Sequence, residues 1–167
     1  VVTDGGVFAI QGESGAGRSR VLNELRWSLQ AQTSAQVLAL QASYLGTEGD
    51  LVRELLLQVN NTLFDELPEQ LADVAESLIS GDALPGDDQL DKQKLYRRQC
   101  DQLTQVFVHL AQNRPVVMLI DDFESADTMS IEVLAGLARQ LEHSDAQTVP
   151  ITIIISELQG LIEPTPN

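Results

Sequence analysis

Residues Gly12-Glu13-Ser14-Gly15-Ala16-Gly17-Arg18-Ser19 have the types and spacing of a phosphate-cradling loop, G-x-x-x-x-G-K-[ST], with Arg18 standing where the lysine belongs. The chemistry of such a loop is specific. Gly12, Gly15 and Gly17, with Ala16 between, let successive backbone N–H groups curl around a phosphate, a cation at 18 meets the outer phosphate oxygens, and the Ser19 hydroxyl reaches Mg²⁺. Arg18 keeps the positive charge, but its planar fork is longer and wider than an ammonium. Phosphate affinity is therefore easier to retain than catalytic geometry. A second stretch supplies the opposite charge: Val116-Val117-Met118-Leu119-Ile120-Asp121-Asp122 is an apolar run finishing in two carboxylates, the form of a Walker B segment. In that form Asp121 holds Mg²⁺ through water and Asp122 sits where it polarises an attacking water.

These groups act together only if the chain brings both stretches to one edge of a sheet. Val7 to Ile10 reads as a short strand before the loop, and Val21, Leu22, Leu25 and Leu29 follow it at helical spacing within Ser19 to Gln30. Gln36 to Gln41 reads as a second buried strand. Asp50 is a candidate N-cap for a helix carrying Leu51, Val52, Leu55, Leu56 and Val59, and Leu67 to Ile79 predicts another amphipathic helix. Tyr44, just past the second strand, reads as a packing residue, with ligand or partner contact the alternative. Ser80 to Asp91 is rich in Gly, Pro and Asp and reads as a surface loop; its acids lack the spacing of a calcium loop. A long helix is signalled from Lys92 to Asn113 and stopped by Arg114-Pro115. Another starts near Ser130, capped by Asp127 or Thr128, and Val149 to Ile155 is a β-branched strand with Ser156 and Glu157 at its tip. Four strands alternating with helices imply an α/β fold with a parallel sheet covered on both faces.

Composition narrows the functions such a sheet could serve. The 167 residues are 43% hydrophobic, enough for one domain with a real core. With 25 acidic against 10 basic residues the net charge is -15, which disfavours nucleic acid and anionic membranes as direct partners. Cys100 is alone, so no internal disulfide forms; it falls in a helical pattern and reads as a buried apolar side chain in a reducing, cytoplasmic setting. No apolar run is long enough for a transmembrane helix. His109 and His143 lie away from both chemical stretches and read as surface or packing residues. Glycines at 12, 15 and 17 do not give G-x-G-x-x-G, and Gln41 is not acidic, so a dinucleotide-binding oxidoreductase is poorly supported.

Phe8 to Leu22 at one end, and Pro115 to Asp127 followed by Ser130-Ile131-Glu132-Val133-Leu134 at the other, resemble the AAA-type P-loop ATPase module of STAND and ORC-like multidomain signalling proteins. That resemblance implies a three-layer αβα sandwich with a mainly parallel sheet, ATP or ADP with Mg²⁺ as ligands, and a nucleotide-driven switch beside output domains. It also implies that residues 1–167 are one core domain cut from a longer chain, without the helical lid that usually follows. Glu124 and Ser125 replace the His and Trp usual in the family, and Ser156-Glu157 stand where an Arg or another polar sensor is common. A carboxylate there would repel a γ-phosphate. Two functions follow: an ATP-binding regulatory switch, with or without hydrolysis, or a degenerate module kept as an interaction scaffold that binds nucleotide weakly or not at all.

Overall fold

The computed structural model describes residues 5–59, 67–81, 91–142 and 150–158. In chain order the elements are β1 (Gly6–Gly12), α1 (Arg18–Gln32), β2 (Gln36–Gln41), α2 (Asp50–Gln58), α3 (Glu69–Ser80), α4 (Lys92–Asn113), β3 (Val116–Asp121), a 3₁₀ turn (Phe123–Ser125), α5 (Thr128–Glu142) and β4 (Ile151–Leu158). The four strands form one wholly parallel sheet in the order β1-β4-β3-β2. Helices separate every pair of sequential strands, which is what a parallel sheet requires of its crossovers.

Side-chain alternation sorts the sheet into two faces. Ile10, Val37, Ala39, Val117, Leu119 and Ile154 turn to one side, where Leu22, Leu25 and Leu29 of α1 pack on them. Leu38, Met118, Ile120, Ile151 and Ile153 turn to the other, joined by Val52, Leu55 and Leu56 of α2, Phe107 and Leu110 of α4, and Val133 and Leu137 of α5. The fold is thus the αβα layering expected from the sequence. Val116 to Ile120 are all buried, as a strand covered on both faces demands. Cys100 is buried in the larger cluster, and burial pushes its thiol up from its ordinary pKa, in keeping with a packing role.

Three local expectations change. β4 does not stop at Ile155 but runs to Leu158, so Ser156 and Glu157 belong to the ladder, both buried, because each polar side chain finds a partner at the sheet's edge. Asp50 is not the N-cap of α2; Gly49 is, with φ 83°, and the Asp50 carboxylate reaches back to the Thr47 N–H and hydroxyl. Tyr44 does not pack: it is 76% exposed. Val149, His143 and most of the Ser80 to Asp91 loop lie outside the described residues.

α4 and α5 approach so closely at Gly136 that an added Cβ would stand 2.6 Å from Thr104 Oγ1. Thr104 cannot easily turn away, because it is buried and its hydroxyl donates to the Cys100 carbonyl at 2.9 Å. Gly136→Ala is expected to destabilise the fold by about 1–3 kcal/mol through overpacking, despite alanine's better helix propensity. Urea unfolding checks this, and Thr104→Ala in the same chain should recover part of the loss. A stabilised Gly136→Ala protein would contradict the packing described.

Candidate functional site

Parallel strands that all point one way deliver their carboxyl ends to a common edge. Gly12, Gln41, Asp121 and Leu158 close the four strands there, and the loop from 13 to 17 turns back over that edge into α1. Gly15 (φ 79°) and Gly17 (φ 89°) take left-handed backbone conformations that other L-residues enter only at a cost of about 1 kcal/mol or more. Gly17 is the N-cap of α1 and has no side chain to cap it, leaving the first N–H groups of the helix facing the loop. Gly12 is needed for space: a Cβ there would meet Ala16 Cβ at 3.2 Å and Arg18 Cγ at 3.5 Å.

Ser19 and Asp121 come together as their sequence spacing alone could not require. Both line one small cavity of about 110 Å³ between α1 and the sheet, with Asn23 and Arg26. Asp121 Oδ1 accepts from the Ser156 hydroxyl and, at 3.1 Å, from the Asp122 N–H. Ser156 Oγ in turn accepts from that same N–H at 3.1 Å. The Asp121 carboxylate is therefore held in place by Asp122, just past β3, and by Ser156 on β4. Among the described residues no group of three or more His, Cys, Asp or Glu could hold a metal. A divalent cation here would depend on one hydroxyl, one carboxylate, waters and phosphate oxygens, the ligand set that Mg²⁺ favours.

Asp122 leaves the strand in a left-handed conformation (φ 50°), the one positive-φ non-glycine among the described residues. That turn breaks the alternation and swings its carboxylate back over the sheet edge. Oδ2 accepts from Gln41 Nε2 at 2.7 Å, and Oδ1 lies 3.6 Å from Arg18 Nη2. Arg18 Nη1 lies 3.7 Å from Glu124 Oε1. The Arg18 and Glu124 side chains are only 11% and 10% exposed. Glu124 thus belongs to the charge constellation, which its sequence position, one of the departures from the family pattern, did not signal.

Register turns Glu157 away from Asp121. Gly12, Asp121 and Ser156 share one face of the sheet, whereas Glu157 and its ladder partner Gln11 point to the other. There Gln11 Nε2 donates to Glu157 Oε1 at 2.6 Å. Arg26 is a further residue that sequence reasoning missed. Seven positions after Ser19 on α1, it lines the same cavity, and its Nε is buried without a hydrogen-bond partner. Helical spacing from Ser19 was the available signal. A larger cavity, of about 310 Å³, lies among α2, α3 and α4 with Glu48, Asp50 and Arg53 on its wall, but none of the residues read as chemical lines it.

Residues 2–154 match the family model of the AAA ATPase domain, nearly the whole chain. The chain belongs to this family. AAA ATPase domains are nucleotide-binding modules, and the phosphate-cradling loop and paired carboxylates sit within the matched region. Among solved structures the chain is similar to the cytoplasmic domain of the Thermomonospora curvata Type VII secretion ATPase EccC, at 13% identity and a TM-score of 0.44 over 95% of this chain. The match spans only 17% of that structure's own length. No curated protein matches the sequence. Among the described residues of this AAA domain, no helix is long and apolar enough to cross a membrane.

Proposed function

We propose that residues 1–167 form one core domain of a larger, cytoplasmic, STAND- or ORC-like signalling protein, in which ATP or ADP with Mg²⁺ sets a regulatory switch. In this reading Gly12, Gly15, Ala16, Gly17, Arg18 and Ser19 hold the phosphates, aided by the N–H groups at the start of α1. Ser19 and Asp121 hold Mg²⁺, which when bound neutralises charge on the phosphate oxygens. Asp122 orients a water for attack. The observation that carries the reading is the shared cavity of Ser19 and Asp121 directly beside a loop whose glycines adopt left-handed backbone. The open space around Gly15 and Gly17 and the common lining by Ser19 and Asp121 support this reading.

Fluorescent ATP and ADP titrated with and without Mg²⁺ test this: saturable binding, tightened by Mg²⁺, is expected. Failure to bind at millimolar nucleotide sinks it. Turnover of ATP that Asp122→Asn abolishes is the further expectation for a working switch. A second reading, an interaction scaffold with little nucleotide affinity that contacts other domains or protein partners, is favoured by one observation: Arg18 faces Asp122 and Glu124. A wild type that neither binds nor turns over ATP, together with binding gained by Arg18→Lys, would favour the scaffold.

A further inference from the structure

Arg18 is the cation that the phosphate-cradling loop offers to a nucleotide, yet its guanidinium is already engaged. One arm, Nη2, faces Asp122 and the other, Nη1, faces Glu124, at 3.6 and 3.7 Å. We propose that Glu124, with Asp122, forms an internal latch on Arg18, so that phosphate binds only by taking Arg18 from these carboxylates. The inference rests on the nucleotide-binding reading above and makes Glu124 a positioning residue for it.

Three observations support displacement rather than a permanent structural pair. Both separations exceed those of a good charge-assisted hydrogen bond, about 2.7–2.9 Å. Arg18 Nη1 and Glu124 Oε2 are buried with no hydrogen-bond partner, so the pair has charge complementarity without full hydrogen bonding. A phosphate oxygen that approached Nη1 would supply what it lacks. Third, the Arg18 stem lies across Gly12, with Cγ and Cδ 3.5 and 3.6 Å from where a Cβ would stand, so the side chain crosses the loop before its head meets the two carboxylates. The cost of release falls on Glu124. With Arg18 drawn to phosphate, a carboxylate only 10% exposed is left beside Asp122 and an incoming anion, and both repulsions oppose binding.

The Glu124→Gln substitution keeps shape and removes that charge. Labelled ATP titrated without Mg²⁺ should bind the variant roughly 5- to 20-fold more tightly than wild type, in the lower part of the range of an ordinary coupling between sites. The gain depends on Arg18: in the Arg18→Lys background, where one compact ammonium replaces two separate nitrogens, Glu124→Gln should gain less than about 3-fold. Equal gains in both backgrounds would overturn the latch in favour of plain charge repulsion. Wild-type binding that Glu124→Gln leaves unchanged would also overturn it, with the nucleotide reading intact. Binding by the variant alone would uphold the latch and count against nucleotide use by the native domain, whereas no binding by either at millimolar ATP would end both. Glu124→Ala, judged by the same criteria, stands in if Glu124→Gln does not fold.

Discussion

Asp127→Ala should lower the unfolding free energy by about 3 kcal/mol, because one carboxylate closes the N-termini of two helices. Oδ1 accepts from the Ser130 N–H and from the Gly49 N–H, each at 2.8 Å, so it caps α5 and ties down the entry to α2 together. Oδ2 accepts from the Ser130 hydroxyl at 2.7 Å and from the Leu51 N–H at 3.4 Å. Ser130 is fully buried and its Oγ also accepts from the Val52 N–H, so alanine at 127 loosens a second bond to α2. A lost cap costs about 1 kcal/mol, and a buried N–H left without a partner about 1–3 kcal/mol more. Asp127→Asn, with one acceptor oxygen and an amide facing donors, should lose about half as much. Urea unfolding measures both. A loss under about 1 kcal/mol for alanine would show that water or Glu48, whose Oε1 already accepts from the Met129 N–H at 2.6 Å, replaces the cap.

That result would separate architecture from chemistry within one short stretch. Asp121, Asp122 and Glu124 surround the loop, while Asp127, three residues further on, binds α2 to α5. The sequence offers Asp127 or Thr128 as the cap, because either before a helical pattern is a local signal, but the hold of Asp127 on Gly49, 78 residues away, depends on topology. The same division runs through the fold. β2 and α4 were legible to the residue, as a short apolar run and a long helical pattern, and β3 was legible because Pro115 and the carboxylates bound it. Asp50 misled because an Asx side chain that could cap forward instead bonded backward to Thr47, a competition that composition does not decide. β4 reads short in the sequence because Ser156 and Glu157 have the polarity of loop residues, and only the fold sets Asp121 and Gln11 beside them. Strand order was not readable at all, and with it went the pairing of Arg18 with Glu124. Those two residues lie on different strand connections, and only the placement of β1 and β3 in one parallel sheet, separated by β4, brings them together.

Arg18→Ala carries the largest expected effect on binding. A charge-assisted hydrogen bond contributes about 1.5–3 kcal/mol, so losing the contact between Arg18 and phosphate should weaken ATP roughly 10- to 100-fold. The latch modifies the size of the loss but not its sign. Alanine at 18 ends the competition for the guanidinium, yet it also leaves the Asp122 and Glu124 carboxylates without their cation, 31% and 10% exposed, next to where an anion must sit. Their repulsion adds to the lost attraction, and it is the part that Mg²⁺ relieves. Binding to Arg18→Ala should therefore depend on Mg²⁺ more steeply than binding to wild type. The variant should also unfold more easily, because a partner removed from a mostly buried pair leaves the other charge uncompensated. Titration of labelled ATP at several Mg²⁺ concentrations, beside urea unfolding, reads both effects. If Arg18→Ala bound ATP as wild type does, the loop's backbone alone would be the phosphate site, and Arg18 would serve only to neutralise Asp122 and Glu124.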